Sequence, residues 1–474
     1  MSENEKTKGQ LLYEKLRYQK KSGFELMDEA SLHAAMEYAK DYMAYLDDAK
    51  TEREAVTAAI KMLERAGFSE YRIGDKLEKG GNYYCNNRGK ALIVFRVGTE
   101  DVNAGIRISA AHCDAPRLDL KQHPLFEDTG FGYLKTHYYG GVRKYQWATI
   151  PLALHGVVSL ADGTTREVRI GDEPGDPVFV ITDLLPHLAK EQNQKPLGTA
   201  FPAETLNLVI AASPYREEDG TVTPSDDKVK LTVLSILNEK YGMTESDFVS
   251  AELCAVPAAN AVDIGLDRWL IGSYGHDDRV CLYPALTAMI DNKNTAHSLM
   301  CILADKEEIG SEGVSGMQCR IFTDIIDEMA AQLGGNANVI RANSICVSAD
   351  VTAAYDPNYS DVFEKRNSAI ISAGVALSKY TGSGGKSSTN DASAEFVGRI
   401  RRIFDGASVV WQTAELGKVD QGGGGTVAKY IAKCNIDTVD IGVPVLSMHA
   451  PFEVVSKIDV YAAYKGFSAF YKAD

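Results

Sequence analysis

The chain has 474 residues, 45% of them apolar and 24% charged, so it can bury a large core without disulfide or metal staples. That composition excludes collagen-like, disordered and coiled-coil classes. A net charge of −15 repels phosphate backbones and anionic lipid, so nucleic acid and membrane are poor partners for it.

The N-terminus, Met1-Ser-Glu-Asn-Glu-Lys6, is polar, with no apolar run behind it and no signal-peptide pattern. No stretch approaches the ~18 apolar residues of a membrane span. Cys85, Cys113, Cys254, Cys281, Cys301, Cys319, Cys346 and Cys434 are scattered without a Cys-x-x-Cys pair. The expectation is eight small hydrophobes in a reducing compartment, the cytoplasm.

Residues 8–66 read as helices, with apolar positions at helical spacing in Leu32, Met36, Ala39 and Met43, then Val56, Ala59, Ile60 and Leu63. Gly67 offers a stop. Runs 91–97 and 106–111 read as buried strands. Residues 124–264 differ in texture, with clustered glycines (Gly130, Gly132, Gly140, Gly141), short strand candidates at 167–170 and 177–181, and polar turns. They predict a second, β-rich domain inserted into a first domain of residues 1–123 and 265–474. Beyond 265, helices and strands alternate: helix 282–290, strand 297–303, helix 321–333, strand 342–347, helices 369–378 and 392–402, strand 437–441. The pattern predicts an α/β fold with a mixed or parallel central sheet.

Two glycine-rich loops fail as nucleotide sites. Gly382-Ser-Gly-Gly-Lys-Ser387 has Tyr380 where a phosphate loop needs glycine, and Gln421-Gly-Gly-Gly-Gly425 lacks the dinucleotide spacing. Loops lying close to a substrate are the better reading.

Five segments place metal-ligating side chains at apparent strand ends or just after them. In His112-Cys-Asp114, residues two apart on a strand share a face, so the imidazole can bind a metal while Asp114 orients it. A surface histidine beside a turn-capping aspartate is the plainer alternative. In His276-Asp277-Asp278-Arg279, one aspartate can cap a helix while the other bridges cations. In Asp305-Lys-Glu307-Glu308-Ile-Gly-Ser311, adjacent carboxylates follow a buried strand and are costly to desolvate without a cation or proton between them. Asp350 and His449 close two further apolar runs and are ambiguous singly. Taken together, the set supplies two divalent cations: one on His112 and Asp350, the other on Glu308 and His449, with Asp278 bridging. Mixed N/O ligation suits zinc, cobalt or manganese. Two such ions activate a water and polarise a peptide carbonyl, and Glu307 is the natural general base.

The order and wording of these segments resemble the aspartyl aminopeptidase and vacuolar aminopeptidase I family of co-catalytic zinc metallopeptidases. His112-Cys-Asp114-Ala-Pro116, His276-Asp-Asp278-Arg, Glu307-Glu308-Ile-Gly-Ser311, Ser348-Ala-Asp350 and Ser447-Met-His449 carry the likeness, and Asp356-Pro-Asn-Tyr359 adds to it. The resemblance implies a zinc-aminopeptidase-like α/β/α catalytic domain with a central mixed sheet, and a dimerisation domain inserted between the first histidine and the bridging aspartate. It also implies a homo-oligomer, a dodecamer in the family, that removes N-terminal residues from peptides. The chain departs from the family's Trp-His-Thr-Trp run, where Tyr145 takes the place of a histidine that reaches a neighbouring subunit. It also departs in the loop at Lys418-Val-Asp420. These mark a divergent branch, in which Lys418 or Lys386 could pair with an acidic N-terminal residue. Two other readings stay open: a carboxypeptidase or deacylase on the same metal scaffold, and a non-catalytic assembly protein.

Overall fold

The computed structural model describes residues 6–473; Met1–Glu5, part of the polar N-terminus read above, lie outside the described residues. Its centre is a nine-stranded mixed sheet. Four neighbouring strands, Ser298–Ala304, Ile106–His112, Ile345–Ala349 and Asp437–Gly442, run parallel. Antiparallel strands flank them: Ala91–Arg96 on one side and Val375–Ser378 on the other. The parallel strands are buried on both faces and read as near-continuous apolar runs, as expected when helices cover both sides.

Side chains alternate between the two faces. Ile106, Ile108 and Ala110 point into one apolar layer with Ile302, Phe322 and Ile326. Ala111, Leu303, Val347 and Ile441 point into the other, beneath helices Glu29–Asp48, His276–Asp291 and Lys457–Tyr471. Burying each large aliphatic side chain there contributes about 1.5–3 kcal/mol. Helix Glu52–Arg65 starts on a reciprocal cap between Thr51 and Glu54, and Gly67 beyond its end takes φ 84°. Ligand sites of open α/β sheets lie beyond the carboxyl ends of the parallel strands. His112, Asp305 and Asp350 all stand there.

Several sequence expectations are corrected. The segment 369–378 is no helix but a turn followed by the strand Val375–Ser378. Gly374 takes φ 91°, and a Cβ there would collide with the carbonyl of Val410, so this apolar run fits only as a strand edge approached closely by its neighbour. Residues 342–343 close the helix Ala337–Asn343, and the strand begins at Ile345. The helix expected at 282 begins at His276.

A second, antiparallel six-stranded sheet is formed by Thr165–Ile170, Leu152–Ser159, Ala251–Pro257, Arg117–Asp128, Phe131–Tyr139 and Asn207–Ala211. The boundary expected at 124 therefore falls inside a strand that starts at Arg117, only five residues after His112. Buried ion pairs join this sheet to the N-terminal helices: Arg117 to Glu52 at 2.9 Å, Lys50 to Asp172 at 2.7 Å, and His155 to Glu54 at 2.8 Å. A third, small sheet contains Leu270–Ser273, Thr352–Ala353, Pro444–Leu446 and Glu453–Ser456. These strands lead into Asp277, out of Asp350 and around His449, so one minor sheet brings three distant segments to the same place.

Among the described residues all eight cysteines are free, most of them buried. No helix among them is long and apolar enough to cross a membrane.

Candidate metal centre

Two imidazoles face each other across one carboxylate. His112 Nε2 lies 3.1 Å from Asp277 Oδ1, and His449 Nε2 lies 3.1 Å from Asp277 Oδ2. Asp350 Oδ1 stands 3.8 Å from His112 Nε2, and Glu308 Oε1 3.5 Å from His449 Nε2. Two donor triads result, His112–Asp277–Asp350 and Asp277–Glu308–His449, each with its ligand atoms within 4.8 Å of one another.

The carboxylate between the histidines is Asp277, not the Asp278 expected from the sequence. Both aspartates head the helix, but Asp277 keeps an extended ψ of 107° and so faces the cleft. Asp278 points inward, and its Oδ2 accepts the backbone N–H of His112 at 3.2 Å. The remaining expected positions, His112, Glu308, Asp350 and His449, converge around Asp277.

Each imidazole turns its other nitrogen to a backbone carbonyl. His112 Nδ1 is 3.0 Å from the carbonyl oxygen of Asp114, and His449 Nδ1 is 3.0 Å from that of Gly141. A carbonyl only accepts, so both Nδ1–H groups donate outward and both Nε2 atoms face the cluster. The Asp114 carboxylate accepts the backbone N–H groups of Glu307 and Glu308, at 3.1 and 3.2 Å, and a hydrogen bond from the Tyr139 hydroxyl at 2.8 Å. One aspartate thus sets both the His112 ring and the turn that carries the two glutamates.

The electrostatics call for protons or cations between these groups. Asp114, Asp277, Asp278, Glu308 and Glu453 are buried around the two imidazoles, and Asp277 Oδ1, Asp278 Oδ1 and Glu308 Oε1 lack hydrogen-bond partners. Burial, then the Asp350 charge, pushes Glu307 up to about 8. Burial, then Asp277, holds Glu308 well above the usual carboxylate range. Burial lowers the affinity of His449 for a proton, but Asp277 and Glu308 outweigh it and raise its pKa to about 10. Acceptors facing acceptors in a dry site are stable only with protons or metal ions between them. The mixed imidazole and carboxylate donors fit zinc.

These groups open on a cavity of about 500 Å³ that is also lined by Glu307, Asp440, Lys429 and the Gly423–Gly425 loop. The two glycine-rich loops meet at its rim, where the Gly382 N–H donates to the Gly424 carbonyl at 2.5 Å. Lys386 and Lys418 line an adjoining cavity of about 420 Å³, and Lys386 is held by Asp391 at 3.1 Å. Tyr145 does not line the metal cavity; it packs against Phe201, ring centroids 6.2 Å apart.

Sequence reasoning missed three contributors. Glu453, 1% exposed, accepts the backbone N–H of Asp277 and of His449. Asp440 sits inside a buried strand, where burial pushes it up to about 7. Gly141 brings its carbonyl to His449, and a Cβ there would come within 3.1 Å of the ring. A charged residue interrupting an apolar run was the available signal for the first two; the glycine had none.

Residues 45–471 match the model of the aminopeptidase I zinc metalloprotease (M18) family. A probable M18 family aminopeptidase 1 of Clostridium acetobutylicum is 45% identical over 459 residues, 95% of this chain and 97% of that one. Its Thermotoga maritima counterpart is 44% identical over 437 residues, 91% and 94% of the two chains. The crystal structure of an M18-family aminopeptidase from Thermotoga maritima superposes with a TM-score of 0.91 at 42% identity, covering 96% of this chain and all of that one. Aminopeptidase I of Clostridium acetobutylicum gives a TM-score of 0.90 at 44% identity, covering 97% and 100%. The chain belongs to the M18 family of zinc aminopeptidases.

Proposed function

We propose that the protein releases the N-terminal residue of short peptides with a pair of zinc ions. His112 and Asp350 would hold one, Glu308 and His449 the other, and Asp277, within reach of both, would be shared between them. The observation that carries this reading is Asp277, whose two oxygens each lie 3.1 Å from a different histidine Nε2. When bound, such a pair supplies Lewis acidity toward a water and the scissile carbonyl. The chain's own residues do the rest. Glu307 takes a proton from the attacking water and passes it to the nitrogen of the departing peptide, a role suited to a carboxylate that lines the cavity beside the proposed ligands. Asp114 fixes the ring of His112 and the backbone of Glu307, which keeps the base in register with the metal ligands. The acid-lined cavity also attracts the α-ammonium that an aminopeptidase substrate carries.

The inserted sheet is proposed as the dimerisation element of a homo-oligomer, with the dodecamer implied by the family resemblance as its full form. Supporting this, Leu184, Leu185, Leu188 and Leu197 stand exposed on the insert, more apolar surface than a monomer gains from.

The test is cleavage of a Leu-Gly-Gly peptide with a free or an acetylated N-terminus, before and after chelation and zinc return. Zinc-dependent release of leucine from the free peptide alone is expected. Equal cleavage of the acetylated peptide would favour a deacylase or carboxypeptidase on the same scaffold.

A further inference from the structure

The metal-site cavity is lined by the carboxylates Asp277, Glu307, Glu308, Asp350 and Asp440, and among the described residues its one lysine or arginine is Lys429. Lys429 lies on the short helix Ala428–Ala432, directly after the glycine run that rims the cavity. Its Nζ sits 4.9 Å from the centroid of the Tyr430 ring. The Tyr430 hydroxyl in turn donates to the carbonyl of Gly310 at 3.2 Å, at the end of the turn that carries Glu307 and Glu308. The base of the lysine is therefore anchored to the metal-ligand turn. Gly425 clears room for the ammonium, since a Cβ there would come within 2.9 Å of Nζ.

Lys386 differs. Its ammonium is paired with Asp391 and seated 3.8 Å from the Tyr380 ring, and it lines the adjoining cavity. Lys429 has a neutral ring as its neighbour and faces the space where a peptide must lie. A half-buried cation of this kind gains most from an anionic partner, because charge-assisted hydrogen bonds are about twice as strong as neutral ones. A short peptide places its ammonium among the acids and still has a carboxylate to satisfy.

We propose that Lys429 is the cavity's carboxylate-recognising residue and pairs with a carboxylate of the peptide substrate. That carboxylate is either the C-terminus of a di- or tripeptide or the side chain of an acidic N-terminal residue. The proposal rests on the aminopeptidase reading and moves the recognition role expected of Lys386 and Lys418 to a different residue.

Zinc-loaded wild type, Lys429→Met, Lys429→Arg and Lys418→Met are compared on two substrate pairs: Leu-Gly against Leu-Gly-amide, and Asp-p-nitroanilide against Leu-p-nitroanilide. In Lys429→Met, one of the two kcat/KM ratios is expected to fall about tenfold, with partial recovery in Lys429→Arg. A fall in the first ratio assigns the C-terminal carboxylate; a fall in the second assigns the acidic side chain. Both ratios staying at wild-type values in Lys429→Met, or falling only in Lys418→Met, would overturn the proposal. A wild type that cleaves none of the four substrates would instead refute the aminopeptidase reading, and this assignment with it.

Discussion

Glu453 accepts the backbone N–H of Asp277 at 3.0 Å through one oxygen, while its other oxygen accepts that of His449 at 2.7 Å. The buried carboxylate thus fixes the spacing between the proposed bridging ligand and one histidine without touching the space between them. Glu453→Gln keeps the volume but turns an amide N–H toward one of those donors. By analogy with outer partners of metal ligands, zinc should bind about 10–100-fold more weakly at the site of Glu308 and His449. Competition against a chelator measures this. Unchanged affinity at both sites would show that the carboxylate only fills space.

Glu307 is held through its backbone and leaves its carboxylate free in the cavity. Glu307→Gln should therefore retain metal and fold while kcat falls about 10²–10⁴-fold, the usual worth of a positioned general base. Metal content and kcat measured on the same preparation separate the base from a ligand. Loss of zinc with loss of activity would place Glu307 among the ligands instead.

Metal loading should release protons. Without a cation, His112 and His449 are held above their ordinary pKa, burial being outweighed by neighbouring carboxylates, and Glu308 and Glu307 are raised by burial and like charges. Ligation needs His112, His449 and Glu308 deprotonated, so at pH 7 zinc should displace up to about three protons. The apparent affinity should weaken as pH falls, by about tenfold per pH unit for each proton displaced. Titration calorimetry in buffers of different ionisation enthalpy counts these protons. A buffer-independent heat would mean that the cluster is already deprotonated.

The legible parts of the fold were those in which local pattern and tertiary role agree. Runs such as Ile106–His112 and Ser298–Ala304 are apolar because both faces are covered, and their polar ends mark where the site must lie. The residues 369–378 misled because a short apolar run has no period of its own; contact with Val410, invisible in the sequence, decided for a strand. Asp277 and Asp278 were indistinguishable for a different reason. Adjacent aspartates have equal propensities, and the choice between them is made by Glu453, far along the chain. The carbonyl of Gly141 left no signature, because a backbone atom carries no residue type.

A buried imidazole joins the six-stranded sheet to the N-terminal helices. His155 is fully buried, with Nδ1 2.8 Å from Glu54 Oε1 and Nε2 2.9 Å from Asp172 Oδ2. Burial alone would depress its pKa, but Asp172 and Glu54 outweigh burial and hold it above the ordinary value. The folded pKa therefore exceeds the unfolded one of about 6.5. The stabilisation is complete below about pH 6.5 and is lost as pH rises through the higher folded value. His155→Gln strands two buried carboxylates and should cost about 3 kcal/mol at pH 6. Lys50 still neutralises part of Asp172, which bounds the loss. Urea unfolding of the zinc-loaded chain at pH 6 and pH 9 should show the gap between wild type and variant narrowing at the higher pH. A gap of equal size at both would assign the effect to packing, since groups that titrate in both proteins cancel and only the imidazole distinguishes them.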